Sequence, residues 1–392
     1  MTTFRDLGLK AEIVDALAAQ GIDEPFPIQN ATIADALAGR DVCGKAKTGS
    51  GKTLAFGLPA LQTVGDARPG HPRALVLVPT RELAKQVVDV LSPLGKVLGV
   101  RVAAFYGGTS MERQIRNLRR RIEVVVATPG RLIDLLDRDE LDLDEIGILV
   151  IDEADRMADM GFLPQVEWIL RKVPTKRQTL LFSATLDREV DVLVRRYMND
   201  PVRHEVVSET QTVDEMTHRF LKVHELDRVK VLASIAGGVA RTMVFVRTKW
   251  GADKLVSQLR REGVHAAAIH GDLRQTARER ALKDFSVGNH GVLVATDVAA
   301  RGIHVDDVDV VVHYDPPQEH KSYVHRSGRT ARAGNEGIVV TFVLWNQELE
   351  VERLQRRLGM REPIIEVFSN DPRLANLVEL DGPAPRRRTA LV

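Results

Sequence analysis

Cysteine is nearly absent: the 392-residue chain has one, Cys43. That excludes an intrachain disulfide framework and agrees with a reducing compartment. Cys43 lies between Val42 and Gly44 and reads as a small core residue rather than a reactive thiol. Aromatic residues make up 5% of the chain, and the formal net charge is only +1. A global basic field is therefore excluded, and any polyanion must be held by a local groove. Long apolar runs are missing too, since none approaches the roughly 20 residues that span a bilayer. The stretch from Met1 to Lys10 lacks the apolar region of a secretory leader. These absences set the expectation of a cytoplasmic protein with no membrane contact. What is present is the mixture of a folded globular chain, 44% hydrophobic and 28% charged. Its length suits two α/β domains.

Short apolar runs alternate with helical patterns along both halves. In the first half they are Ala74–Val78, Val102–Phe105, Glu123–Ala127, Ile148–Ile151 and Thr179–Phe182. In the second they are Met243–Val246, Ala266–Ile269, Val292–Ala295, Val308–His313 and Ile338–Phe342. They show little polar alternation, which suits strands buried on both faces of a parallel sheet. Helical segments such as Glu82–Val97, Leu163–Arg171, Ala252–Arg261 and Ala277–Phe285 separate them. This alternation predicts βαβ units and an α/β fold of doubly wound parallel sheets. The pattern breaks at the polar stretch Pro201–Asp214. The expected organisation is a first domain over 1–205, a flexible linker over 206–215, a second domain over 216–369 and a loose basic tail over 370–392.

Three segments carry chemistry. Ala46-Lys47-Thr48-Gly49-Ser50-Gly51-Lys52-Thr53 follows the apolar segment Asp41–Cys43 and opens a helical run from Leu54. Glycines let a backbone fold around phosphates with its N–H groups aimed at them. Lys52 is then placed to reach the β- and γ-phosphates and Thr53 to hold Mg²⁺. The generic pattern begins with Gly where this chain has Ala46, and a simple glycine-rich turn is the plainer alternative. At Val150-Ile151-Asp152-Glu153-Ala154-Asp155 an apolar strand ends in a carboxylate cluster. Asp152 suits a Mg²⁺ ion, and Glu153 suits the metal site and the orientation and deprotonation of an attacking water. An acid-rich helix start is the alternative; the glycine loop upstream in the same βαβ array weighs against it. In the second half, His325-Arg326-Ser327-Gly328-Arg329-Thr330-Ala331-Arg332 spaces three arginines near one helical face. They form either a solvated basic face or a pair of arginine fingers, Arg329 and Arg332, for the γ-phosphate. Guanidinium suits the latter because it stays charged and binds phosphate bidentately.

Together these segments resemble the DEAD-box RNA helicases, over nearly the whole chain to about Phe368. Further segments carry the same resemblance: Pro79-Thr80-Arg81-Glu82-Leu83-Ala84, Gly107-Gly108, Thr128-Pro129-Gly130-Arg131, Ser183-Ala184-Thr185, Val244-Phe245-Val246-Arg247-Thr248, Gln275 with Arg278, and Ala295-Thr296-Asp297 onward to Gly302. The resemblance implies two tandem RecA-like domains, ATP and Mg²⁺ as cofactors, and an RNA-dependent ATPase that unwinds duplexes locally. It implies nucleotide contacts from Phe4, Gln29, the Ala46–Thr53 loop and Gly302. It implies RNA contacts from Pro79, Thr80, Arg81, Gly107, Gly108, Thr128, Pro129, Gly130, Arg131, Thr248, Arg274 and Thr296. Asp155, Ser183, Thr185, Asp297, His325 and Arg326 are implied to couple the domains. The implied partners are single-stranded and duplex RNA read with little sequence preference, with RNA–protein assemblies or RNA-decay proteins beside them, and the chain is expected to act as a monomer. An ATP-gated RNA clamp that does not unwind is the alternative from another class.

The chain departs from the family pattern in two places. Gly21-Ile22 stands where that pattern has Gly followed by an aromatic, and Phe26 replaces the usual hydroxyl residue in Pro25-Phe26-Pro27-Ile28-Gln29. His304 stands where many members have Asp. Arg113, Arg116, Arg119, Arg120 and Arg121 read as a solvated helix face. Trp168, Trp250 and Trp345 read as packing residues.

Overall fold

The aliphatic runs fold as two parallel sheets, one in each half of the chain. The computed structural model describes residues 2–46, 49–206, 216–300, 305, 308–330, 337–378 and 380. Lys47, Thr48, Gly302, His304, Arg332, most of the expected linker and the chain from 381 onward lie outside the described residues. The first sheet comprises β1 (Val42–Lys45), β2 (Ala74–Leu77), β3 (Val102–Phe105), β4 (Val124–Ala127), β5 (Ile148–Asp152), β6 (Gln178–Ser183) and β7 (Val202–Glu205). Its order is β3-β4-β2-β5-β6-β1-β7. The second comprises β8 (Thr217–Lys222), β9 (Thr242–Val246), β10 (Ala266–Ile269), β11 (Val292–Thr296), β12 (Val310–His313), β13 (Ile338–Val343) and β14 (Ile364–Glu366). Its order is β10-β11-β9-β12-β13-β8-β14. Restarting the count at β8 turns the second order into the first, so one topology occurs twice. The chain divides into two compact units, Met1–Ser208 and Glu209–Val392.

Parallel neighbours need a crossover, and helices supply it on both faces. Side chains therefore alternate between two apolar layers. Along β5, Ile148 and Val150 enter one layer, while Leu149 and Ile151 enter the other. Both layers are apolar and buried, which is why these strands read as unbroken apolar runs. Cys43 is fully buried in the second layer, as its packing role requires. No helix among the described residues is long and apolar enough to cross a membrane.

β7, β8 and β14 do not stand out as apolar runs. β8 begins Thr217-His218-Arg219 yet lies between β13 and β14. Its polar groups are buried because each has a partner. His218 Nδ1 and the Tyr323 hydroxyl are 2.8 Å apart. Arg219 donates to the carbonyls of Leu377 at 2.9 Å and Val378 at 2.7 Å. Those carbonyls belong to the segment read as the start of a loose tail. The structure corrects that reading: Leu374, Leu377 and Leu380 are buried in the second unit's core.

Candidate active site

Strand order decides which loops meet. β6 lies between β1 and β5, so the loops leaving their carboxyl ends share one edge of the first sheet. They are the glycine loop after β1, Asp152-Glu153 at the end of β5, and Ser183-Ala184-Thr185 at the end of β6. Register pairs Lys45 with Ser183 and Asp152 with Phe182. The Ala46 N–H donates to the Ser183 carbonyl at 3.0 Å. Ligands of open α/β sheets bind at such carboxyl edges.

Gly51 shows why the loop needs glycine. Its φ is +85°, and a Cβ there would lie 2.4 Å from Gln29 Nε2 and 2.7 Å from Phe26 Cδ2. The helix Lys52–Thr63 starts at the next residue, so its free N–H groups and dipole face the loop. Lys52 is 6% exposed, and its ammonium donates to the Ala46 carbonyl at 3.0 Å. Lys52 thus reaches back to Ala46, the residue after β1, with Thr53 half-buried beside it.

The acids at the end of β5 are crowded. Asp152 is buried, and its Oδ1 accepts from the Glu153 N–H at 2.9 Å. Burial pushes its carboxyl up to about 6; the Lys52 ammonium opposes the rise, and the carboxylates of Glu153 and Asp155 add to it. A carboxylate so costly to ionise fits a hard divalent cation next to it. Asp152, Glu153 and Asp155 do not form a tight three-ligand cage. Among the described residues, the cluster of that kind is His71, Asp144 and Glu145. Glu145 there is already paired with Arg68 and Arg73. An open, few-carboxylate arrangement is the one that Mg²⁺ shares with phosphate oxygens and water. Glu153 is 4% exposed at a φ of +52°, and its carboxylate is ion-paired with Arg156. Asp155 ties this loop to the next strand: its N–H donates to Ser183 Oγ at 3.1 Å, and its Oδ2 accepts from the Thr185 N–H at 2.9 Å.

A second set of loops gathers beyond β5, where β3, β4 and β2 are neighbours. Pro79, Thr80 and Arg81 follow β2; Gly107 and Gly108 follow β3; Thr128, Pro129, Gly130 and Arg131 follow β4. Thr80 caps the helix Arg81–Val97 by accepting from the Leu83 N–H at 3.2 Å. The Arg81 guanidinium lies against Gly108, whose φ is +83° and whose Cβ, if present, would be 2.1 Å from Nη1. Arg131 is 8% exposed and donates to the Thr109 carbonyl at 3.3 Å, so it braces the glycine turn. The corresponding strands of the second unit, β10, β11 and β9, are neighbours as well. Thr248 caps the helix Lys249–Arg261 through the Gly251 N–H at 3.0 Å, Arg274 is exposed, and Thr296 is buried at the end of β11.

The second unit's arginine segment is built around Arg326. Its fork binds Asp297 at 2.6 and 2.7 Å and donates to the Asp315 carbonyl at 2.8 Å. Arg329 is buried and His325 exposed. Phe4, read as a nucleotide contact, is 1% exposed in the first unit's core. Two tryptophans depart from the packing expectation: Trp250 and Trp345 are 71% and 78% exposed, whereas Trp168 packs on the core. Arg113, Arg116, Arg119 and Arg120 are exposed, as a solvated face requires. Sequence reading missed Arg156 and the contact of Phe26 with the glycine loop. Spacing i, i+3 from Glu153 was the available signal for the first; nothing local pointed to the second.

Comparison with known proteins agrees with this construction. The family model for DEAD/DEAH box helicases matches residues 26–193, and that for the helicase conserved C-terminal domain matches 222–334. The chain is 41% identical to the DEAD-box ATP-dependent RNA helicase CshA of Geobacillus kaustophilus, over 100% of this chain and 86% of that one. It is 45% identical to the ATP-dependent RNA helicase CshA of Listeria monocytogenes, over 88% of this chain and 66% of that one. The structure of S. cerevisiae Dbp5 bound to RNA and ADP BeF3 superposes with a TM-score of 0.80 at 31% identity, covering 95% of this chain and 97% of that one. The two family models together match most of a chain that carries a glycine loop and an Asp-Glu-Ala-Asp strand end, and with these identities the chain belongs to the DEAD-box ATP-dependent RNA helicases.

Proposed function

We propose that the chain hydrolyses ATP to ADP and phosphate, with Mg²⁺, in an RNA-dependent cycle that couples domain closure to local, non-processive unwinding of RNA duplexes or remodelling of RNA–protein assemblies. The observation that carries this reading is the shared edge of β1, β6 and β5, where the glycine loop, Lys52, Asp152 and Glu153 meet. Loop N–H groups and Lys52 bind and neutralise phosphates. Thr53 and Asp152 are the residues that would hold Mg²⁺, which supplies charge neutralisation. Glu153 orients the attacking water and takes its proton. The threonine and glycine loops of the β3-β4-β2 edge bind RNA phosphates and sugars, which gives affinity with little sequence reading. Arg329, Arg332 and Gly302 complete the reading from the second unit. The protein acts as a monomer in the cytoplasm, where the lone buried thiol of Cys43 suits a reducing milieu. ATP turnover measured with single-stranded RNA, with duplex DNA and with neither tests the proposal. RNA alone should stimulate, and equal rates in all three overturn the coupling. Strand separation of a short RNA duplex then distinguishes unwinding from mere ATP-stabilised binding.

A further inference from the structure

Phe26 occupies a place that local folding does not favour for an aromatic. It is the N-cap of the helix Pro27–Leu37 and is 54% exposed. N-caps favour Ser, Thr, Asp or Asn, whose side-chain oxygen accepts from a free helical N–H. A phenyl ring accepts nothing, and no side-chain cap bond is made here. The exposed ring also leaves apolar surface in water. A hydroxyl residue would serve the helix better on both counts.

The surroundings give the ring another use. It lies against the glycine loop, since a Cβ on Gly51 would be 2.7 Å from its Cδ2. Beside it, Gln29 is 2% exposed, and its amide is held at both ends. Oε1 accepts from the Phe26 N–H at 2.8 Å, and Nε2 donates to the Gly51 carbonyl at 2.9 Å. Each end keeps one more position, a lone pair on Oε1 and an N–H on Nε2. That acceptor–donor pair matches adenine N6–H and N7. Ile22, at the position where the family pattern has an aromatic, is half-buried and packs against the core. Phe4 is inside that core. Of these three side chains, Phe26 is the one that offers an aromatic face to solvent next to Gln29.

We propose that Phe26 is the stacking platform for the adenine base and so a specificity-determining residue, replacing the aromatic lost at position 22. This rests on the nucleotide-binding reading above. The exposed ring and the missing cap are then a local cost of folding that binding offsets.

Calorimetric titration of the full chain with ADP, without RNA, tests it. Phe26→Leu should weaken ADP by about three- to tenfold, the usual range for losing an aromatic stack. Phe26→Trp should stay within about twofold of wild type, and its added indole emission should change on ADP binding. Phe26→Thr should bind as weakly as the Leu variant while its melting temperature rises, because the cap is restored. Ile22→Phe should gain nothing. Wild-type affinity in Phe26→Leu, equal losses in Leu and Trp variants, or tighter binding in Ile22→Phe overturns the assignment. Failure of the wild-type chain to bind ADP at all overturns the nucleotide-binding reading, and this proposal with it.

Discussion

Arg156 is ion-paired with Glu153 across one helical turn, and both side chains are nearly buried, 13% and 5% exposed. Glu153 sits at a left-handed φ of +52°, a conformation that a non-glycine residue adopts at a cost of roughly 1–2 kcal/mol. Packing at the end of β5 fixes the backbone, and Arg156 fixes the carboxylate. In the proposed role of base, a carboxylate held this way needs little reorganisation when water arrives.

Glu153→Gln keeps the shape of the side chain but cannot take a proton. ATP and RNA binding should persist while hydrolysis is lost. Arg156→Met should lower kcat by roughly tenfold, the order expected when a reacting group loses its orientation, with KM for ATP little changed. Arg156→Lys should recover part of the loss. Steady-state kinetics at saturating RNA separate the two parameters, and a matching rise in KM would show that Arg156 shapes the ATP site instead.

Asp152 links the site to stability. Its carboxyl is pushed up to about 6 in the fold, above the ordinary value of 3.8. Between these values the folded chain binds more protons than the unfolded one, so nucleotide-free stability falls as pH rises through this window. Asp152→Asn resembles the protonated form. It should stabilise the nucleotide-free protein at pH 7 by roughly 1–3 kcal/mol, and by about a third as much at pH 4.5, while abolishing Mg²⁺-dependent hydrolysis. Denaturant unfolding at the two pH values checks it.

The candidate catalytic residues stood out in the sequence because phosphate chemistry needs fixed residue types at fixed spacing. The central strands were legible because a strand covered on both faces must be apolar throughout. β8 was hidden by His218 and Arg219, whose partners Tyr323, Leu377 and Val378 lie more than 100 residues further along the chain. The doubled topology was legible only through the family resemblance, since a shared strand order constrains pattern and leaves sequence free. Phe26 and Arg156 became informative only once Gly51 and Glu153 stood beside them.

His313 makes the second unit acid-sensitive. Its ring is fully buried, edge-on to Tyr323 at 4.6 Å and to Phe245 at 6.2 Å, and neither nitrogen has a hydrogen-bond partner among the described residues. Burial holds its pKa well below 6.5, and the Arg326 guanidinium and His218 push the same way. The unfolded chain therefore takes the proton first. Stability is fully present above pH 6.5 and is lost as pH falls toward the folded value, by up to about 1.4 kcal/mol per unit. His313→Leu should flatten this acid limb. Comparing unfolding midpoints at pH 7.5 and 5.0 for the two proteins checks it; equal acid losses would mean that other groups dominate.

Arg326 and Asp297 form a bidentate ion pair in the second unit. Two parallel N–H bonds of 2.6 and 2.7 Å match the guanidinium fork to the carboxylate. Arg326 is almost fully buried, whereas Asp297 is about one-third exposed. That asymmetry predicts unequal losses. Asp297→Ala leaves a buried guanidinium with the Asp315 carbonyl and the face of Phe245 for company. Arg326→Ala leaves a carboxylate that water can reach but removes the hydrogen bond to Asp315 and the packing of the stem. Both losses should fall within roughly 2–4 kcal/mol, near the lower end for breaking a buried pair, with Asp297→Ala the larger because it leaves the buried charge unpaired. Arg326→Lys should lose part of that, since an ammonium cannot make both parallel bonds. In a double-mutant cycle by urea unfolding, the two alanine variants should show a coupling of about 1–3 kcal/mol. A coupling near zero would mean that the fork contributes nothing net to folding, and that any loss of RNA-stimulated ATP turnover in these variants arises from their part in the cycle itself.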